Sequence, residues 1–505
     1  MSESRMNQWL SRFYGHFTET IRRPFLVWPA STPLLFIFFA FLLGLFLVTR
    51  LLDSTIILTT TTTITVTNHI PELNCTTLNT TITCPTNNYP NSNREDLPRP
   101  SPAACPEYFR WIHEDLRPWA HTGITREMVD SGRATSDFRL VIVDGKAYFE
   151  TYRKAFQTRD VFTHWGILQL LRKYPGQVPD LDLMFECDDR PAIASNYYNG
   201  SHVPVSLPIF RYCSVDDLAY IVFPDWSFWG WPEINIHPWN TLLEDLKEGN
   251  KRTRWMEREP HAYWKGNPNF IQPRQDVMKC NVTEHQDWNL RVYALDWQKE
   301  TQEGYQNSDM ASQCNHRFKI YIEGIGWSVS EKYILACDSL TLLVKPRYHD
   351  FFSRGLVPMH HYWPIKQDDK CKSLKFAVDW GNRNKQKAQA MGKAGSEFIL
   401  RDLKMDYVYD YMLHLLTEYA KLLTFKPTIP ENVTAMCSEK MGCPADGLVK
   451  KFMMESMVKG PADTSPCTIP PPFAASSLYG ILSRKENSTK EVELWEKKYW
   501  DSQNH

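Results

Sequence analysis

Apolar and polar positions change their period several times along this chain, and each change marks an element. Residues 33–48 (PLLFIFFAFLLGLFLV) are uncharged, and with their flanks they make a run over 31–52 that reaches the ~20 residues a membrane-crossing helix needs. A buried core helix is the alternative for such a run. Thr55–Thr67 (TIILTTTTTITVT) and the Pro-, Asn- and Thr-rich stretch up to Ala104 bury too little apolar surface to fold alone, so 53–104 reads as an extended stem. A small hairpin closed by Cys75–Cys84 is compatible with that stem. From Cys105 the pattern turns globular. Arg139–Val143 and Ala147–Glu150 flank Asp144-Gly145, a hairpin signal. Val161–Tyr174 carries Trp165, Leu168 and Leu171 at helical spacing and stops at Pro175-Gly176. Leu181–Glu186, Ala219–Phe223, Phe318–Ile322 and Leu340–Val344 read as strands, Ser330–Ala336 as a short helix, and Asn384–Leu423 as one long helix. Thr464–Pro472 (TSPCTIPPP) marks an irregular C-terminal extension over 426–505. Alternating helix and strand signals predict an α/β architecture with parallel sheets.

Charge and cysteine usage add a compartment. The 505 residues hold 57 Lys and Arg against 58 Asp and Glu, a net charge of −1, so the basic excess that nucleic acid requires is missing. Arg5, Arg12, Arg22 and Arg23 precede the apolar run against only Glu3 and Glu19. The positive-inside rule therefore makes 1–30 a cytosolic tail, 31–52 a signal anchor, and everything after it lumenal. All 12 Cys follow the run, an even number suited to an oxidising lumen. Local pairs, Cys75 with Cys84 and two of Cys437, Cys443 and Cys467, are the expected bridges. Sequons at Asn74, Asn79, Asn199, Asn281, Asn432 and Asn487 all lie on that side. A type II protein of the Golgi membrane is the expectation.

Four segments could carry chemistry. Glu186–Pro191 (ECDDRP) sets acids just after a strand, where α/β sheets place ligand groups and where neighbouring carboxylates raise one another's proton affinity; a helix cap with a solvated neighbour is the bland alternative. Ala262–Phe270 (AYWKGNPNF), with Arg274 beyond, offers a Gly for close backbone approach and two cations for a diphosphate, or else an ordinary turn. Gly324–Lys332 (GIGWSVSEK) lies between a strand and a helix, where amides could cradle phosphate, but it lacks Walker spacing. Pro224–Pro238 (PDWSFWGWPEINIHP) is either an aromatic wall for a sugar or packed core. Asp180-Leu181-Asp182 has the spacing of a cation site in metal-dependent transferases, yet Asp182 sits inside a predicted strand. His360-His361 reads as structural, without a third ligand nearby.

Taken in order, these segments are more specific than any alone. Gly123–Met128 (GITREM), Leu183–Pro191, Pro224–Trp231, Tyr263–Gly266 (YWKG), Tyr321–Ser339 (YIEGIGWSVSEKYILACDS) and His361–Ile365 (HYWPI) make the chain from Cys105 to Phe425 resemble the CAP10-like (Rumi-like) protein O-glucosyltransferase family. The resemblance implies a GT-B fold, with two Rossmann-like domains facing across a cleft, here 105–250 on the acceptor side and 251–425 on the nucleotide-sugar side. It implies an inverting reaction without a metal or other cofactor, in which a UDP-sugar gives glucose or xylose to a hydroxyl of a glycan, glycolipid or protein. Matched to the family motifs, Asp189 falls on the catalytic base, Asn267 on a donor-binding Ser, and Arg274 on the diphosphate Arg with a one-residue gap. Ile325, Gly326, Trp327, Ser328, Val329 and Ser330 fall on the nucleotide loop, with Ser328 matching a family Ser. Two departures stand out. Asp188 replaces the Arg before the base, and Ser330 replaces an Arg late in the loop, leaving Lys332, Lys265 or Arg274 to supply charge to the phosphates. A degenerate lectin-like or scaffolding protein on the same fold is the competing expectation.

Overall fold

The structure is a computed structural model that describes Leu73, Cys75, Cys84 and residues 103–190, 207–305 and 309–503. Residues 1–68 group as one unit and 69–505 as another. The first unit, including the apolar run 31–52, lies outside the described residues, as do most of the stem and the sequons at Asn74, Asn79 and Asn199. Among the described residues no helix is long and apolar enough to cross a membrane.

Two five-stranded sheets organise the globular part. The first holds β1 (Phe138–Val143), β2 (Lys146–Thr151), β3 (Leu181–Phe185), β4 (Ile209–Arg211) and β5 (Ile221–Val222), in the order β2-β1-β3-β4-β5. Asp144 and Gly145 both take positive φ, 50° and 70°, the backbone that a two-residue hairpin turn demands, and Val143 pairs with Lys146 across it. That turn makes β1–β2 antiparallel, and β1 also runs antiparallel to β3; only β3–β4–β5 are parallel. The expected parallel sheet is therefore mixed on this side. The second sheet, with β6 (Glu259–Gly266), β7 (Leu290–Ala294), β8 (His316–Tyr321), β9 (Leu340–Val344) and β10 (Trp363–Ile365), is wholly parallel in the order β10-β9-β8-β6-β7. Every residue of β9 (LTLLV) is buried, as a strand covered on both faces requires.

The longer helices are α1 (Arg159–Lys173), α2 (Trp239–Arg252), α3 (Lys370–Arg383), α4 (Lys385–Asp402), α5 (Met405–Leu422) and α6 (Ala475–Gln503). The expected single helix over Asn384–Leu423 is in fact two. Lys404 is extended, and Leu403 is buried with its carbonyl accepting a 2.7 Å hydrogen bond from Trp239 Nε1, which anchors the break. The break redirects α5 onto the first sheet, where Tyr419 Oη donates to the Asp182 carbonyl at 2.9 Å. Conversely, Val492, Trp495 and Tyr499 of α6 pack into the core of the second sheet.

The cysteines pair over long distances. Cys75–Cys443, Cys84–Cys437 and Cys105–Cys467 tie the stem and the start of the globular part to the C-terminal extension. Cys280–Cys371 and Cys314–Cys337 close the second half, while Cys187 and Cys213 are buried free thiols. The expected local bridges are thus wrong. A short helix, Ser438–Gly442, separates Cys437 from Cys443, and six residues at ~1.5 Å rise put their Cα atoms beyond the reach of a disulfide.

Candidate active site

β3 (LDLMF) is buried throughout, and the chain leaves the sheet at Glu186; Glu186 and Cys187 stay buried, while Asp188, Asp189 and Arg190 reach solvent at its carboxyl end. This loop has no regular secondary structure, and side chains do the work of a ladder. Asp137 accepts the Cys187 amide at 2.6 Å. Arg159, buried at the start of α1, donates to the Cys187 carbonyl at 3.2 Å and grips the Asp189 carboxylate with both terminal nitrogens, at 2.9 and 3.2 Å. Its guanidinium lies 4.6 Å from the Trp226 ring and 5.1 Å from Phe156, which is 61% exposed. Asp189 keeps part of its carboxylate accessible, while Asp188 points to solvent with Arg153 3.5 Å away. Burial pushes the Glu186 carboxyl up to about 7, although its partner Arg211 pulls the other way.

The glycine loop reaches this acid from the second sheet. A Cβ on Gly326 would overlap the Asp189 carbonyl oxygen and lie 2.8 Å from its carbon, so only glycine allows the two loops to meet. Arg190 Nε also donates to the Ile325 carbonyl at 3.3 Å. Arg274 organises the other side. It donates to the carbonyls of Glu323 (2.8 Å), Ile322 (3.3 Å) and Asn267 (3.3 Å), and to Ser328 Oγ (3.3 Å). Asn267, where β6 ends, caps the Asn269 amide at 2.9 Å. Asn267, Arg274, Ser328 and the Ile325–Gly326 turn therefore form one shelf beside Asp189. Burial lowers the proton affinity of Arg274, and among the described residues no carboxylate lies within ion-pair distance of it. A guanidinium whose hydrogen bonds all go to neutral acceptors retains its charge for an anionic ligand.

Other expectations need correction. The helix after the loop, Ser330–Leu335, has only six residues, and its entry amides are already occupied. Ser328 N donates to Tyr321 Oη (3.2 Å), Ser330 N to Ser328 Oγ (3.5 Å) and Glu331 N to the Ser328 carbonyl (3.1 Å). Ser330 Oγ shares a 2.9 Å hydrogen bond with Ser328 Oγ, and Val329 is half-buried beside it. Lys332 supplies no phosphate charge, because it is buried against Asp225 (3.1 Å) and Ser227 (2.9 Å). Trp226, Phe228 and Trp229 are core, and so is Trp327 against Tyr212; only Trp231 of the aromatic segment is partly exposed. Asp182 is buried in a bidentate pair with Arg139, and Asp180 caps the Asp144 amide at 2.9 Å, so this pair of acids is structural. Arg159 and Arg211 were missed. Their only signal is an arginine inside an otherwise apolar strand (IFR) and another at a helix start, and neither pattern is specific.

A family model, glycosyl transferase family 90, matches residues 100–496, which takes in both sheets and both loops of the site. The chain belongs to glycosyl transferase family 90. It is a glycosyltransferase, and 25% identical over 339 residues to O-glucosyltransferase rumi of Drosophila pseudoobscura pseudoobscura, covering 64% of this chain and 79% of that protein. Protein O-glucosyltransferase 1 of Bos taurus is 25% identical over 341 residues, covering 64% and 82%, and that of Homo sapiens is 24% identical over 355 residues, covering 67% and 86%. In this family 90 transferase, residues 100–496 matched by the family model include Asp189, Asn267, Arg274 and the glycine loop.

Proposed function

We propose that the chain is an inverting glycosyltransferase that moves a sugar, glucose or xylose, from a UDP-sugar to a hydroxyl of a glycan, glycolipid or protein. The two sheets then serve as the Rossmann-like halves of a GT-B enzyme, with Asp189 and Gly326 at the floor of the cleft between them. The observation that carries this reading is that contact: an acid from the first sheet abuts a shelf on the second whose half-buried Arg274 has, among the described residues, no carboxylate within ion-pair distance. Arg274 and Asn267 hold the diphosphate side. Asp189 takes the proton from the acceptor hydroxyl as its oxygen attacks C1 of the sugar; the bond from C1 to the diphosphate breaks, and UDP leaves with the electron pair. No metal ion or other cofactor enters this scheme, since the charge on the leaving group is met by side chains.

The test is UDP-sugar turnover by the purified full-length protein across a donor panel, with and without EDTA, alongside Asp189→Asn. Loss of about 10²–10⁴ in kcat supports the base, whereas full activity removes it. A non-catalytic binding protein is favoured by one observation: Ser330 stands where the family has a cation and spends its hydroxyl on Ser328. Saturable UDP binding with no turnover for any donor would decide for it. We place the enzyme in the Golgi membrane with 31–52 as its anchor and the catalytic part lumenal. Ten of its 12 cysteines are bridged, in keeping with an oxidising compartment.

A further inference from the structure

The loop that carries Asp189 is irregular, yet its carbonyls are held one after another. Arg159 takes that of Cys187, and the Cys213 thiol, 3.4 Å away, faces that of Asp189. The carbonyls on either side of Asp189 both go to one residue. Arg211 Nη2 donates to the Asp188 carbonyl at 3.3 Å and to the Arg190 carbonyl, while Nη1 pairs with the Glu186 carboxylate. Arg211 is the last residue of β4, fully buried, with its guanidinium 5.0 Å from the Tyr220 ring. The neighbouring strand thus reaches across and fastens the loop at three points that straddle the acid.

We infer that Arg211 is a positioning residue for Asp189: its guanidinium bridges the Glu186 carboxylate and the carbonyls of Asp188 and Arg190, and so fixes the backbone from which the base projects. This rests on Asp189 being the base. The chemistry favours arginine in particular, because a planar fork with five donors can serve a carboxylate and two carbonyls at once, whereas an ammonium is a single point. It also answers the departure at position 188. Asp188 stands where the family has an arginine, and here a guanidinium enters from β4 instead, on the buried side of the loop. Without the clamp, the carbonyls of Asp188 and Arg190 lose their partner and the loop is free to shift by the order of 1 Å, which is enough to cost about 10²-fold in rate. Arg274, Asn267 and Ser328 of the donor shelf are held by contacts within the second half and, among the described residues, not by Arg211, so donor binding should survive.

The experiment uses the full-length protein and measures kcat and donor KM for wild type, Asp189→Asn, Arg211→Lys, and Arg211→Met combined with Glu186→Leu. The double variant removes the buried pair as a unit, which avoids stranding Glu186 without a partner. The expected result is a kcat about 10–100-fold lower with donor KM within about threefold, and an intermediate kcat for Arg211→Lys. A rise in melting temperature with UDP reports that each variant is folded. A folded double variant with wild-type kcat, while Asp189→Asn is inactive, overturns the clamp. If the double variant does not fold, Arg211→Lys decides alone: a kcat at least about fivefold down at constant KM supports the clamp, and an unchanged kcat overturns it. An Asp189→Asn protein as active as wild type overturns the base reading first, and the clamp with it.

Discussion

Gly326→Ala tests the meeting of the two loops most directly. The added Cβ would lie 2.8 Å from the Asp189 carbonyl carbon and closer still to its oxygen. Carbon atoms rest at about 3.5–4.0 Å, so backbone must move by roughly 1 Å, and backbone cannot rotate aside as a flexible side chain does. Two costs follow. Overpacking of this kind destabilises by about 1–3 kcal/mol, and a 1 Å displacement of a reacting group costs about 10²-fold in rate, equivalent to ~2.7 kcal/mol in the barrier. The assay is kcat with a saturating UDP-sugar, paired with the midpoint of denaturant unfolding. Gly176→Ala is the control: it has φ of 71° and nothing within 4 Å of the new methyl, so it carries backbone strain alone. It should lose about 1 kcal/mol of stability and no activity. A Gly326→Ala protein with wild-type kcat, or a Gly176→Ala protein that loses as much kcat, would refute the reasoning.

Arg274→Gln should leave the protein folded but raise donor KM by about tenfold or more, read from initial rates, because the shelf loses a half-buried cation while its carbonyl partners keep some contacts. Lys319 is buried with its proton affinity lowered to about 7 by desolvation, helped by Arg258, and among the described residues its Nζ hydrogen-bonds only the Cys337 sulfur, at 3.4 Å. The unfolded chain then binds the extra proton between pH 7 and 10.5, so the contribution of Lys319 to stability falls as pH drops through that window and is constant below it. Lys319→Met should therefore be more stable than wild type below pH 7, by on the order of 4 kcal/mol, and the difference should shrink toward pH 10.5 in urea melts. Non-reducing peptide mapping should recover Cys75–Cys443 and Cys84–Cys437 and no Cys75–Cys84 peptide. With Cys84–Cys437 intact, Cys75–Cys443 closes an effective loop of only about fifteen residues, so Cys75→Ser with Cys443→Ser should cost ~3 kcal/mol rather than the larger value its sequence separation suggests.

Local chemistry was legible wherever neighbours in the chain decide the outcome. Asp144-Gly145 turns, the mostly apolar run at β9 is a covered strand, and the collinear motifs from Gly123 to Ile365 carry the family; the fold sets Asp189 against Gly326 and Arg274 against Asn267 and Ser328. Partnerships across the chain were not legible. Apolar spacing runs unbroken from Asn384 to Leu423, and only a carbonyl contact from Trp239 splits it. Lys332 looked like a phosphate ligand until packing set it beside Asp225, 107 residues away. After β3, burial more than the neighbouring Asp188 raises the proton affinity of Glu186. Arg211 shows why. In the sequence it is a charge in an apolar triplet, and its role arises only when β4 pairs beside β3 and brings it under a loop 21 to 25 residues earlier. Turn and periodicity preferences are short-range and read directly from composition. Electrostatics and hydrogen bonding depend on which groups share a volume without water, and only the closed fold decides that.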